Sequence, residues 1–328
     1  MSAKLYPWQE PTWQQWQSLI VQDRLPHAML CAMPVGSGRE VLAAYLANTL
    51  LCQTPGTEPC GLCHSCDLLS SETHPDLHWV KPEKEGKAIT VDQIRQCNHW
   101  AWESSQLSGL RVIVIEPAEN MNEAAANALL KTLEAPPASC HFILLTAATH
   151  RLLPTILSRC NVWQQPHLGE EMVLSWLEQQ GNHEVSKQSL RLCQGLPLSS
   201  LQFYQDKKDK QHQQLLTSFT AFIESGFGSL SDIMSLIGKE REESLLWLSY
   251  LLADTQKVQQ GVIEGVVHCN SMATLQTLSS TLSVNTVYQQ FKSLNELRNQ
   301  LNVHSGLNEE LLISQWLFGF ITGEQGVS

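Results

Sequence analysis

Four cysteines, Cys52, Cys60, Cys63 and Cys66, follow one another at spacings of x7, x2 and x2. Thiols this closely set can put four thiolates around one ion, and zinc favours that tetrahedral sulfur set. An iron–sulfur cluster is the competing reading, but the usual closing x3-Cys-Pro is absent. His64 and His74 stand near enough in the chain to replace a thiol as ligand. Four protein thiolates leave no open coordination position, so such a centre is structural rather than catalytic. Residues 52–76 contain no Lys or Arg, which argues against nucleic-acid binding by this module.

A second stretch, Ala28 to Leu46, reads AMLCAMPVGSGREVLAAYL. An apolar strand, a turn through Gly36-Ser37-Gly38 and a helix make the layout of a phosphate-binding loop. The nucleotide-binding form, G-x-x-x-x-G-K-[ST], needs glycines for close backbone approach, a Lys for the β- and γ-phosphates and a hydroxyl for Mg²⁺. Here Met33 stands at the first glycine, Arg39 at the lysine and Glu40 at the hydroxyl. A carboxylate at a helix N-terminus already occupies the positive end of the dipole and repels phosphate. The loop keeps its scaffold, with Gly36 and Gly38, but has lost its phosphate chemistry.

Two further places bear on that chemistry. The strand Arg111–Ile115 runs into Glu116-Pro117-Ala118-Glu119, where an ATPase carries an acidic pair for Mg²⁺ and water, and Pro117 takes the second acid's place. Arg159, in Ser158-Arg159-Cys160, reads on spacing alone as a helix-end arginine paired with a nearby carboxylate. Lys131 and Glu134 read as a solvated i,i+3 pair. Asn127 and Thr146 receive no role.

The elements that must position these residues follow from periodicity. Trp13, Trp16 and Ile20 predict a helix after Pro11, with Trp8 and Trp13 covering a core edge. His27–Met33 predicts a buried strand, and Glu40–Leu51 a helix with Leu42, Tyr45, Leu46 and Leu50 on one face. Leu77–Val80 is a short strand, and residues 81–88 form a charged turn. Thr90 and Gln93 form a capping box for a helix to about Ser104, broken by Ser108-Gly109. Asn122 caps a helix that Pro136-Pro137 ends. His141–Thr146 is a strand, Leu153–Leu157 a helical turn, and a last short strand reaches Trp163. Alternating strands and helices predict a parallel sheet covered on both faces. From Gly169 only helices are expected: three short ones, then a polar linker over Asp206–Gln214, then several amphipathic ones to about residue 324.

The chain has 328 residues, 43% of them apolar, and a net charge of −11. An acidic chain is a poor non-specific binder of nucleic acid, so work on DNA would need local contacts or basic partners. No apolar run is long enough to span a membrane, and MSAKLYPWQEP lacks the apolar core of a signal peptide. A cytoplasmic location is expected, in which the ten cysteines are buried thiols or metal ligands rather than disulfides. The ten tryptophans are expected mostly in cores and interfaces.

Several motifs occur in one order: PVGSGRE, CGLCHSC, THPD (Thr73–Asp76), NALLKTLEAPP (Asn127–Pro137), FILLTA and ILSRC. Together they resemble the AAA+ clamp-loader family of DNA replication, most strongly over residues 5–165. The resemblance implies an α/β parallel-sheet AAA+ domain at 1–165 with a zinc module at 52–66. It also implies a helical lid at 166–208 and an all-α collar, an oligomerisation domain, at 209–328. Active members carry the Lys and hydroxyl that Arg39 and Glu40 replace, an Asp-Glu pair where Glu116-Pro117 stands, and a lid arginine where Leu198 stands. The implied protein is therefore an ATP-inert subunit without intrinsic ATPase, within the polymerase holoenzyme. Its implied partners are the gamma/tau ATPase subunits, the clamp-opening delta subunit, the sliding clamp and primed DNA, with no membrane. The retained Arg159 would act in trans, as an arginine finger on a neighbour's ATP. Structural zinc is the implied cofactor. Two other readings compete: an active AAA+ ATPase with a variant loop, and a zinc module that binds nucleic acid.

Overall fold

The computed structural model describes residues 4–84, 86–107, 109–181, 185–225, 230–303 and 306–322. Ser108 of the expected helix break and Glu85 of the charged turn lie outside these residues. The chain divides into two compact units, Met1–Leu168 and Gly169–Ser328.

The first unit runs α1 (Glu10–Val21), β1 (Ala28–Ala32), α2 (Arg39–Leu51), α3 (His64–Ser70), β2 (Leu77–Val80), α4 (Val91–Trp102), β3 (Arg111–Ile115), α5 (Glu123–Glu134), β4 (Cys140–Thr146), α6 (Pro154–Leu157) and β5 (Asn161–Gln164). The strands form one parallel sheet in the order β2-β3-β4-β1-β5. Period-two alternation sends neighbouring side chains to opposite faces, and both faces of the sheet centre are covered, so Ala28–Ala32 of β1, Val112–Ile115 of β3 and Phe142–Leu145 of β4 read as unbroken apolar runs. Met29, Cys31, Val112, Val114, Ile143 and Leu145 pack with Trp13, Trp16, Leu42 and Leu46 on one side. On the other side Leu30, Ile113, Ile115, Phe142 and Leu144 pack with Ile94, Cys97, Leu129 and Leu133.

Local signals place the helices. The Thr90–Gln93 capping box is formed, and the Asn122 side chain accepts from the Ala125 N–H at 2.8 Å to open α5. Strand β1 lies between β4 and β5, while the chain leaving it goes on to β2 at the far edge. Diverging connections of this kind open a crevice at the carboxyl ends of the strands, and residues 33–38 leave β1 there.

The second unit is helical: α7 (Glu170–Gln179), α8 (Lys187–Leu192), α9 (Pro197–Gln205), α10 (Lys208–Ser225), α11 (Leu230–Lys239), α12 (Arg241–Gln259), α13 (Met272–Thr281), α14 (Val284–Val303) and α15 (Glu309–Thr322). Leu192 and Phe203 share one core with Leu215, Phe219, Leu248, Leu278, Leu294 and Leu317. The expected linker over Asp206–Gln214 is corrected. Only the turn at Asp206–Lys207 separates α9 from α10, and the polar run from Lys208 is the first part of α10. Its composition misleads because Lys210, Gln213 and Gln214 are exposed and Lys208 is paired with Glu243, while His212, Leu215 and Leu216 are buried. No described helix is long and apolar enough to cross a membrane.

Candidate functional site: a self-occupied loop and a four-cysteine knuckle at opposite ends of α2

Gly38 is the N-cap of α2 at φ 81°, a conformation open to glycine with little strain. A Cβ built there would lie 2.6 Å from the Tyr6 ring. The N-terminal segment thus sits directly on the loop. Trp8 Nε1 donates to the Ser37 carbonyl at 2.7 Å, and Gln9 Nε2 donates to the Gly38 carbonyl at 2.7 Å. Tyr6 stacks on Trp8 with centroids 4.8 Å apart. Trp13 fills the core as expected, but Trp8 does more than cover an edge: it is buried against the loop.

The lysine position is also turned inward. Arg39 is 3% exposed. Its Nη1 donates to the Met33 carbonyl at 3.0 Å, its Nε donates to Glu40 at 3.0 Å, and its Nη2 lies 3.6 Å from Glu116. Glu116, at the end of β3, also accepts from Trp79 Nε1 at 2.9 Å and pairs with Lys81 at 3.3 Å. Burial and the bond to Glu40 hold the Glu116 carboxyl above its ordinary value. Against the upward push of burial, the Glu116 hydrogen bond and Arg39 hold Glu40 below its own. Two cations and two carboxyl groups therefore satisfy one another where a nucleotide's phosphates and metal would be held. A phosphate brought here would face both carboxyl groups, and Arg39 is already engaged by Met33, Glu40 and Glu116.

Thr146, at the end of β4, is buried; its carbonyl accepts from the Met33 N–H at 2.9 Å and its hydroxyl from the Ala148 N–H at 3.1 Å. Asn127 is exposed on α5. Arg159 bonds Glu134 directly and donates to the Thr155 carbonyl at 2.9 Å. The expected Lys131–Glu134 pair is corrected: Glu134 takes Arg159 as its ion-pair partner. Leu198 lies in the first turn of α9, in the helical unit.

Cys52, Cys60, Cys63 and Cys66 converge, with all four Sγ atoms within 4.8 Å of one another. The distances Cys52–Cys63 at 3.8 Å, Cys60–Cys66 at 3.9 Å and Cys52–Cys66 at 3.7 Å fit a metal. Sulfurs about 2.3 Å from a tetrahedral zinc lie about 3.8 Å apart. N–H groups of Cys60, Cys63 and Cys66 each point at a neighbouring sulfur at 3.4 Å. The Thr54 hydroxyl, with the Leu62 and Cys63 N–H groups, draws the Cys60 thiol down to about 5, whereas burial pushes Cys66 up to about 12. A bound cation would draw off the remaining protons. The cluster can hold a metal ion with sulfur alone. His64 is exposed at the start of α3, and His74 is committed to Ser65 and the Asp76 backbone, so neither joins the sulfur cluster.

Sequence reasoning missed the partners of these groups. Tyr6, Trp8 and Gln9 carried no spacing signal, nor did Trp79 and Lys81. Asp76 of the THPD motif is fully buried. It accepts from Ser105 Oγ at 2.9 Å and from the Gln106 and Leu107 N–H groups at 2.9 and 3.0 Å, and it meets Arg111 Nη2 at 3.3 Å.

Comparison with known proteins agrees with this architecture. The family model for the DNA polymerase III delta subunit matches residues 8–168, and the model for its C-terminal part matches 206–322. DNA polymerase III subunit delta' of Haemophilus influenzae is 32% identical over 97% of this chain and 97% of its own. The Yersinia pestis protein of that name is 32% identical over 97% and 95%, and the Escherichia coli one 31% over 95% and 94%. With both units matched and near-complete coverage in each direction, the chain belongs to the DNA polymerase III delta-prime subunit family.

Proposed function

We propose that this chain is the ATP-inert subunit of a bacterial replicative clamp loader, joined to the gamma/tau ATPase subunits and the delta subunit, and that it helps load the sliding clamp on primed DNA. The observation that carries the reading is the self-occupied loop. Arg39 is spent on Met33, Glu40 and Glu116, and Tyr6 and Gln9 close over Gly38. Loss of the phosphate chemistry leaves the domain a scaffold whose Arg159 serves as a finger on a neighbour's ATP. The chain beyond the sheet acts in two parts, a lid at 166–208 and a collar at 209–328 that joins the subunits. The knuckle carries one structural zinc. The chain works in the cytoplasm and reaches the clamp and DNA within the complex.

The test is reconstitution. ATPase and delta subunits are mixed with and without this chain, and clamp- and DNA-stimulated ATP turnover is followed. Turnover and clamp loading that depend on the chain are expected, with no nucleotide bound by the chain alone. Full activity of the other subunits without it would overturn the proposal.

A further inference from the structure

The four-cysteine knuckle is fastened to the sheet by one chain of hydrogen bonds whose proton positions are all determined. The Asp76 N–H donates to His74 Nδ1 at 3.1 Å, so Nδ1 carries a lone pair. In a neutral imidazole the proton is then on Nε2, which faces Ser65 Oγ at 2.8 Å. Ser65 accepts there and gives its own hydroxyl proton to the Leu51 carbonyl at 2.5 Å. Ser65 is fully buried and His74 is 5% exposed.

The ends of this relay are placed with respect to the sulfurs. Leu51 ends α2 and immediately precedes Cys52, the ligand farthest away in sequence. Ser65 lies in the first turn of α3, immediately before Cys66. Cys52 and Cys66 Sγ stand 3.7 Å apart, so the relay spans the backbone that carries one edge of the sulfur tetrahedron. Asp76, at its far end, leads into β2 and is itself fixed by Arg111, Ser105 and two backbone N–H groups. The relay therefore couples a surface knuckle to a rigid point of the sheet.

We infer that His74 is a positioning residue of the metal centre: it is not a ligand, and it holds Cys52 and Cys66 in register for the metal through Ser65 and the Leu51 carbonyl. This rests on the reading of the knuckle as a metal site. Groups behind the ligands that set ligand orientation change metal affinity by about 10–100-fold when removed.

The test compares the full-length wild type with His74→Phe, His74→Gln and Ser65→Ala, each loaded with zinc and separately with cobalt. Zinc transfer to a chromophoric chelator gives the release rate. The cobalt absorption bands report the ligand set. Far-UV circular dichroism selects variants that keep the native fold. His74→Phe and Ser65→Ala are expected to release zinc about 10–100-fold faster, with a four-sulfur cobalt spectrum like wild type. His74→Gln, which keeps one acceptor and one donor, should fall between. If His74→Phe does not fold, Ser65→Ala, which leaves the imidazole in place, decides the matter. Wild-type release rates in the folded variants would overturn the inference. So would a cobalt spectrum that changes from mixed nitrogen and sulfur to sulfur alone on removing His74. A wild-type chain that takes up no metal would overturn the metal reading itself, before any variant is compared.

Discussion

Glu134, the last residue of α5, binds the guanidinium of Arg159, which follows α6. Arg159 donates as well to the Thr155 carbonyl at 2.9 Å and to Ser158 Oγ at 3.3 Å, so in the single chain it is held close to its own surface. Both partners are partly exposed, and exposed pairs contribute about 0–1 kcal/mol. A contact this weak costs little to exchange, as the proposed finger role requires.

Arg159→Ala is accordingly expected to leave folding and metal content unchanged and to slow hydrolysis at one adjacent ATP site by about 10³–10⁵. Arg159→Lys should rescue poorly, because an ammonium keeps the charge but lacks the planar fork. Glu134→Ala should alter stability by no more than about 1 kcal/mol and leave adjacent-site hydrolysis intact. Single-site turnover, with the other ATPase sites disabled by mutation, is the measurement; unchanged hydrolysis in Arg159→Ala would return Arg159 to a local ion-pair role.

The closed loop predicts an absence of nucleotide binding. Calorimetry of the isolated chain with ATP and Mg²⁺ should show no micromolar binding. Arg39→Lys combined with Glu40→Thr should not create hydrolysis, since Pro117 still replaces the water-activating acid. Gly38→Ala should destabilise the first unit by about 1–2 kcal/mol in urea titration from its left-handed conformation alone, with the Tyr6 ring contact adding to the cost.

Asp76 and Arg111 are both buried. Asp76→Ala leaves Ser105 Oγ and the Gln106 and Leu107 N–H groups without their acceptor, while Arg111 keeps Glu103 at 2.8 Å. A buried polar group left unsatisfied costs about 1–3 kcal/mol, so Asp76→Ala is expected to cost more than Glu134→Ala in denaturant titration. A loss below about 1 kcal/mol, the value of an exposed pair, would show that water replaces Asp76 at these groups.

A pH dependence follows from a buried relay in the helical unit. His268 Nδ1 and N–H both face Asp254 Oδ2 at 2.9 Å, and His268 Nε2 lies 3.2 Å from His212 Nε2. Lys257 pairs with the other oxygen of Asp254 at 3.1 Å. The facing Nε2 atoms can share only one proton. Burial, aided by His268, lowers His212 from its ordinary 6.5 to about 3. The folded form thus binds fewer protons than the unfolded chain between these values. Stability from this group is complete above pH 6.5 and is lost as the pH falls toward 3. The slope reaches about 1.4 kcal/mol per pH unit. Denaturant titrations at successive pH values should show this loss in the wild type and a flatter profile in His212→Gln. Parallel profiles would exclude the relay as its source.

The sequence by itself determined the parallel sheet, because strands covered on both faces must be apolar, as β1, Val112–Ile115 of β3 and Phe142–Leu145 of β4 are. It determined the knuckle as well, since thiols at x2 spacing with a fourth close upstream lie within reach of one another. The altered loop was equally legible, because the residue types at 33, 39 and 40 depart from the phosphate-binding pattern whatever fold surrounds them. Tertiary structure decided what those residues do instead. Arg39 meets Glu116 only because β1 and β3 end on the same side of one sheet, and Tyr6 and Gln9 meet Gly38 only because α1 packs beside α2. Glu134 prefers Arg159 to Lys131, and His74 serves the knuckle from behind. The polar run at 208–214 is helical because buried contacts of His212, Leu215 and Leu216 outweigh its composition. Pairings between residues distant in the chain depend on how packed elements converge, which local spacing does not encode.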